Sequence, residues 1–171
     1  MSTQRQKDPV DNILEQWQRE RPDIDSTPMG PLGRLVRCTA LAEPLLRAGY
    51  RQHNLEVWEF DVLSALRRAG KPFILTPTQL LPALMITSGT VTHRLKLLEK
   101  RGLISRKANP DDARSKFVCL TAPGKKLIDE AVESHVENEK KILAGLSPEQ
   151  LELMNDVLSA FMRSLEARSE G

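Results

Sequence analysis

This 171-residue chain is short of cysteine, histidine and aromatic residues, and each shortage removes a class of chemistry. Its two cysteines, Cys38 and Cys119, stand far apart without CxxC spacing, so a thiolate metal site or a dithiol redox centre is not expected. Both read as buried free thiols. The histidines, His53, His93 and His135, never pair at i, i+4 and have no cysteine pair to join, which leaves no metal-ligand pattern. Aromatics are 4% of the residues, so Leu, Ala and Val must supply the apolar faces, a composition that suits helices. No run approaches the roughly 18 apolar residues of a membrane span. Met1 to Lys7 carries no apolar signal segment, so a cytoplasmic chain is expected. A phosphate loop, a nucleophile elbow and a zincin motif are all missing; neither an enzyme nor a cofactor is expected.

What is present is concentrated between Thr76 and Leu120. Thr76 can cap a helix and Pro77 suits its first position, which predicts a short helix to about Met85. Thr87 or Ser88 can cap a second helix with Val91, Leu95 and Leu98 on one face and Thr90, Thr92, His93 and Lys96 on the other. Gly102 ends it, after Lys100 and Arg101. Two β-prone runs follow, Leu103–Arg106 and Phe117–Leu120, joined by a turn-rich charged loop. Helix, tight turn, polar-faced helix and hairpin is the order of a winged helix-turn-helix. A helix with small polar and basic residues outward fits a DNA major groove, and a basic hairpin tip reaches the neighbouring backbone or minor groove. Charge agrees: Val91 to Lys126 holds ten Lys/Arg against three Asp/Glu, while the whole chain is only +2.

Ser88-Gly89-Thr90-Val91-Thr92-His93-Arg94-Leu95, Leu98-Glu99-Lys100-Arg101-Gly102-Leu103-Ile104 and Asn109-Pro110-Asp111-Asp112-Ala113-Arg114-Ser115, followed by Val118-Cys119-Leu120-Thr121, resemble the MarR family of transcriptional regulators. The resemblance runs from about residue 10 to about residue 165. It implies a mainly α fold with a small β-hairpin: a winged helix-turn-helix with N- and C-terminal dimerisation helices. It divides the chain into an N-terminal extension and dimerisation helix (1–50), a DNA-binding domain (51–122) and C-terminal dimerisation helices (123–171). It also implies a homodimer on a pseudo-palindromic operator. Ser88, Thr90, Thr92, His93 and Lys96 would meet the major groove, Arg114 the minor groove and Lys116 the phosphates. Where the family wing usually has Asp-Arg-Arg, the middle residue here is Ala113.

The flanking segments read as helices. Val10, Ile13, Leu14 and Trp17 make the apolar face of a helix from Asp8 to Glu20. A second helix covers Leu32 to Ala48, with Pro44 expected to kink or end it, and a third covers Glu56 to Ala69. After the hairpin come a long helix to about Ala144 and a last one whose broad stripe, from Leu151 to Leu165, argues for burial against a larger surface.

Four residues stand apart. Asp61 and Arg68 share a face of the third helix. Two turns put them about 10 Å apart along the axis, long for a direct ion pair. Arg94 follows Val91 by three and precedes Leu98 by four, so it lies beside the inward stripe, where a cation is costly unless paired. With Trp17 they resemble the ligand quartet of the urate-responsive branch of the MarR family. That resemblance implies a small anionic ligand, urate or a related purine: Trp17 stacks on it or hydrogen-bonds it, Arg68 meets its charge, Asp61 is repelled and Arg94 transmits the shift. Plainer readings stand beside it: Trp17 packs its helix, Asp61 and Arg68 are surface or structural charges, and Arg94 reaches a phosphate. Phenolic or aromatic acids are a second class of input, and an effector-independent architectural DNA binder is a third reading.

Overall fold

The computed structural model describes residues 6–84, 91–110 and 116–169. Two compact units form, Met1–Leu45 and Leu46–Gly171.

In the first unit, α1 (Pro9–Glu20) begins at a reciprocal cap. Asp8 accepts from the backbone of Val10 and Asp11, and Asp11 accepts from the Asp8 amide at 2.9 Å. The same two carboxylates hold α2 (Met29–Arg51): Arg34 reaches Asp8 Oδ2 at 2.8 Å and Asp11 Oδ1 at 2.6 Å. Arg34 draws the Asp8 carboxyl below its usual value. A carboxyl depressed in the folded state stabilises above its unfolded pKa and stops doing so as pH falls through its folded one. The contact between α1 and α2 is therefore expected to persist at neutral pH and to weaken below about pH 4. In a Trp58→Phe background, Trp17 fluorescence should follow that loss, and Arg34→Ala should remove the acid transition.

Of the two roles expected for Pro44, a kink or an end, the second does not hold, because α2 runs on to Arg51. Proline deletes one rung of the ladder, but here it lies on an exposed stretch where water can take the freed carbonyl. Cys38, expected buried, is exposed on this helix. Its neighbours Leu35, Val36 and Leu41 are exposed too; periodicity shows that a helix has an apolar side without showing what covers it.

The second unit is built around α3 (Val57–Arg68), whose Val62, Leu63 and Leu66 are fully enclosed. They pack with Leu80 of α4 (Pro77–Ala83), Leu98 of α5 (Val91–Lys100), Ile104 of β2 (Ile104–Ala108), Val118 of β3 (Lys116–Leu120) and Ile128 of α6 (Ala122–Leu143). The expected hairpin is present, with Ser105 opposite Cys119 and Ala108 opposite Lys116. Sequence reading missed a third strand, β1 (Ile74–Leu75), which pairs antiparallel on the other edge of β3 to give the order β1-β3-β2. Cys119 sits in the middle strand, where burial pushes its thiol up and away from reactivity. The final helix, α7 (Pro148–Ser169), keeps Leu153, Met154, Val157, Leu158, Met162 and Leu165 exposed, Leu153 by 63%.

Candidate nucleic-acid interface and adjoining cavity

The reading helix is set by its core side. Val91, Leu95 and Leu98 are buried, which turns Thr92, His93 and Lys96 to solvent. Ser88, Thr90 and Arg114 lie outside the described residues. Lys116 opens β3 and is exposed. Thr92, Lys116 and Arg106 line one groove of about 430 Å³ with Thr78 and Pro77, so the polar face of α5 and the base of the hairpin form a continuous surface.

Both ends of the helix–hairpin junction are pinned. Glu99 of α5 lies 3.2 Å from Arg106 of β2. Arg101, just past the helix, reaches Glu59 Oε1 at 2.6 Å and the Asn54 carbonyl at 2.9 Å. The Glu59 side chain is 6% exposed, so this is a nearly enclosed carboxylate whose cationic partner reaches it from the surface. Glu59 also accepts from the Glu56 amide at 3.0 Å and so caps α3. One carboxylate thus fixes the start of α3 and the end of α5.

Arg94 turns the other way from Thr92, His93 and Lys96. It is half-buried, its guanidinium carbon is 5.5 Å from the centre of the Trp58 ring, and its buried Nη1 has no hydrogen-bond partner. Asp61, half-buried on α3, feels Arg68, Arg94 and His135. Burial lifts the Asp61 carboxyl above its usual value, and the nearby guanidinium groups of Arg68 and Arg94 oppose the lift without cancelling it. Arg68 is exposed at the last turn of α3. Trp17 stands on α1 in the first unit, 40% exposed.

Beside this cluster lies a cavity of about 640 Å³ lined by residues of α3 and α6, among them Phe60, Ser64, Arg67, Arg68, Val132 and His135. Its aromatic wall is part of a group in which Phe60 lies 4.7 Å from Tyr50 and 4.8 Å from His135, ring centre to ring centre. Arg67 bonds Asp129 at 2.6 Å, and Lys125 bonds the other oxygen of the same carboxylate at 2.5 Å. Sequence reading missed Trp58, Ser64, Arg67 and His135. Ser64 carried a faint signal, a hydroxyl four residues after Phe60 on the inward stripe of α3. No group of three or more potential metal ligands occurs among the described residues. No helix among them is long and apolar enough to cross a membrane.

A winged helix with an outward polar reading helix, braced by a three-stranded sheet, defines a DNA-binding regulator. Residues 53–115 match the MarR family. The chain is 42% identical to the HTH-type transcriptional regulator PecS of Dickeya dadantii (strain 3937) over 141 residues, covering 82% of this chain and 85% of that one. It superposes with a TM-score of 0.70 on a mutant MarR from E. coli complexed with operator DNA, at 23% identity over 81% of this chain and 99% of that one. It superposes with 0.76 on AbsC of Streptomyces coelicolor, a MarR family transcriptional regulator, at 19% identity over 84% and 97%. The chain belongs to the MarR family of transcriptional regulators, and its relatives are regulators, not enzymes.

Proposed function

We propose that this regulator is a cytoplasmic homodimeric repressor that releases a pseudo-palindromic operator when urate, or a related purine anion, occupies the region between α3 and Arg94. The observation that supports this is Arg94: a cation on the inner side of the reading helix, with a buried unpaired nitrogen, in electrostatic reach of Asp61. An anion drawn in by Arg68 pulls Arg94 and repels Asp61, and so tilts the reading helix. The resemblance of Trp17, Asp61, Arg68 and Arg94 to the urate-responsive quartet supports the purine assignment. On the DNA side, Ser88, Thr90, Thr92, His93 and Lys96 contact the major groove, Arg114 the minor groove and Lys116 a phosphate. Residues 1–50 and 123–171 make the dimer, in keeping with the apolar residues that α2 and α7 leave exposed.

In a gel-shift titration, urate is expected to weaken operator binding by the wild type. Arg68→Ala should need about tenfold more urate for the same effect, with operator affinity in its absence unchanged. Operator binding indifferent to millimolar urate would remove the purine assignment and leave the DNA-binding fold standing. Salicylate in parallel tests the aromatic-acid input, a reading supported by the apolar Phe60 and Val132 in the lining of the α3–α6 cavity.

A further inference from the structure

Buried polar atoms in folded proteins are nearly always hydrogen-bonded. Among the described residues, four side chains break this rule: Ser64, Arg94, Arg106 and His135. Two of them, Ser64 and His135, line the cavity between α3 and α6. Ser64 is 4% exposed, and its Oγ has no partner. A serine within a helix commonly satisfies itself on the carbonyl four residues back; this hydroxyl does not. His135 Nδ1 is also buried and unpaired, while its Nε2 lies 3.2 Å from Glu139 Oε1. A neutral imidazole that donates from Nε2 to Glu139 keeps Nδ1 as an acceptor. Ser64 therefore offers a donor and His135 an acceptor. Both belong to a cavity whose other lining residues are the apolar Phe60 and Val132, the cations Arg67 and Arg68, and the carboxylates Asp129 and Glu133, of which Asp129 is already held by Arg67 and Lys125.

We propose that Ser64 and His135 form a second recognition pole that selects ligands carrying a lactam edge, an N–H beside a C=O, in addition to a negative charge. The Ser64 hydroxyl donates to the ligand carbonyl, reached by a turn about one side-chain bond, and His135 Nδ1 accepts the ligand N–H. The ring lies against Phe60, and its anionic side faces Arg68. Selectivity then follows from unpaired groups. A ligand without the lactam edge leaves two buried polar atoms unsatisfied, and such sites discriminate strongly against it. Urate has charge and lactam edges; salicylate has charge and a phenol hydroxyl but no lactam edge. This inference rests on the anion site proposed above.

Isothermal titration of the full-length protein with urate and with salicylate tests it, using wild type, Ser64→Ala and His135→Phe. The phenylalanine keeps a ring beside Tyr50 and Phe60 and removes the acceptor. The wild type is expected to bind urate at least tenfold more tightly than salicylate. Each variant should lose about tenfold for urate and less than twofold for salicylate, with unliganded operator affinity unchanged. If the variants bind urate like the wild type, or lose both ligands equally, the lactam pole is overturned while the anion site stands. Preference for salicylate by the wild type also overturns the pole alone. Binding of neither ligand overturns both.

Discussion

Gly124→Ala is expected to destabilise the protein by about 3 kcal/mol, at the upper end for overpacking. A β-carbon at Gly124 would stand 2.0 Å from the Leu103 carbonyl oxygen and 2.9 Å from its carbon. Neither side can give way cheaply. Thr121 caps α6 by accepting from the Gly124 amide at 3.1 Å, and the Thr121 amide donates to the same Leu103 oxygen at 3.1 Å. The Leu103 amide is in turn held by the Leu98 carbonyl at 3.1 Å, which links the strain to the end of α5. Urea denaturation measures the cost, and operator affinity should fall in parallel because the reading helix leads into the displaced segment. Gly145→Ala is the control: nothing lies within 4 Å of its β-carbon position, so a change within about 0.5 kcal/mol is expected. Equal stability of the two variants would mean that the start of α6 is not held against Leu103.

Arg101→Ala should cost a similar amount, about 3 kcal/mol, for a different reason. The substitution deletes a guanidinium from the enclosed Glu59 carboxylate and from the Asn54 carbonyl. Most of the cost is the stranded charge, so Arg101→Ala combined with Glu59→Gln is expected to recover roughly half of it. Glutamine keeps an oxygen to accept from the Glu56 amide, which leaves the cap of α3 in place. Denaturant midpoints for the single and double variants measure the coupling. Strictly additive losses would show that the pair is not a unit.

Much of this architecture was legible because its signals are local. Thr76 and Pro77 announce α4, and the Thr76 hydroxyl does cap it, accepting from the Gln79 amide. The spacing of Val91, Leu95 and Leu98 orients α5, and with it the inward side chain of Arg94. The hairpin runs were readable from β-prone residues flanking a turn. Features that depend on distant partners were not. Strand β1 is two residues long and exists because the free edge of β3 accepts it. The cavity is made by α3 and α6, more than sixty residues apart in sequence, so no window shows Ser64 and His135 lining one space. Trp58 gains its meaning from a guanidinium on another helix. Pro44 does not end α2 because the rung it deletes lies on an exposed stretch, open to water.

The uncovered leucines and methionines of α7 and the 70% exposed Val36 of α2 have a quantitative consequence for gene control. In the homodimer proposed above, two chains that close over these surfaces must meet before an operator is read. Below the dissociation constant of that encounter, dimer concentration scales with the square of chain concentration, so halving the chain concentration cuts the occupancy of an unsaturated promoter about fourfold. Such a regulator converts modest swings in its own synthesis into a sharp change in output, independently of any small molecule.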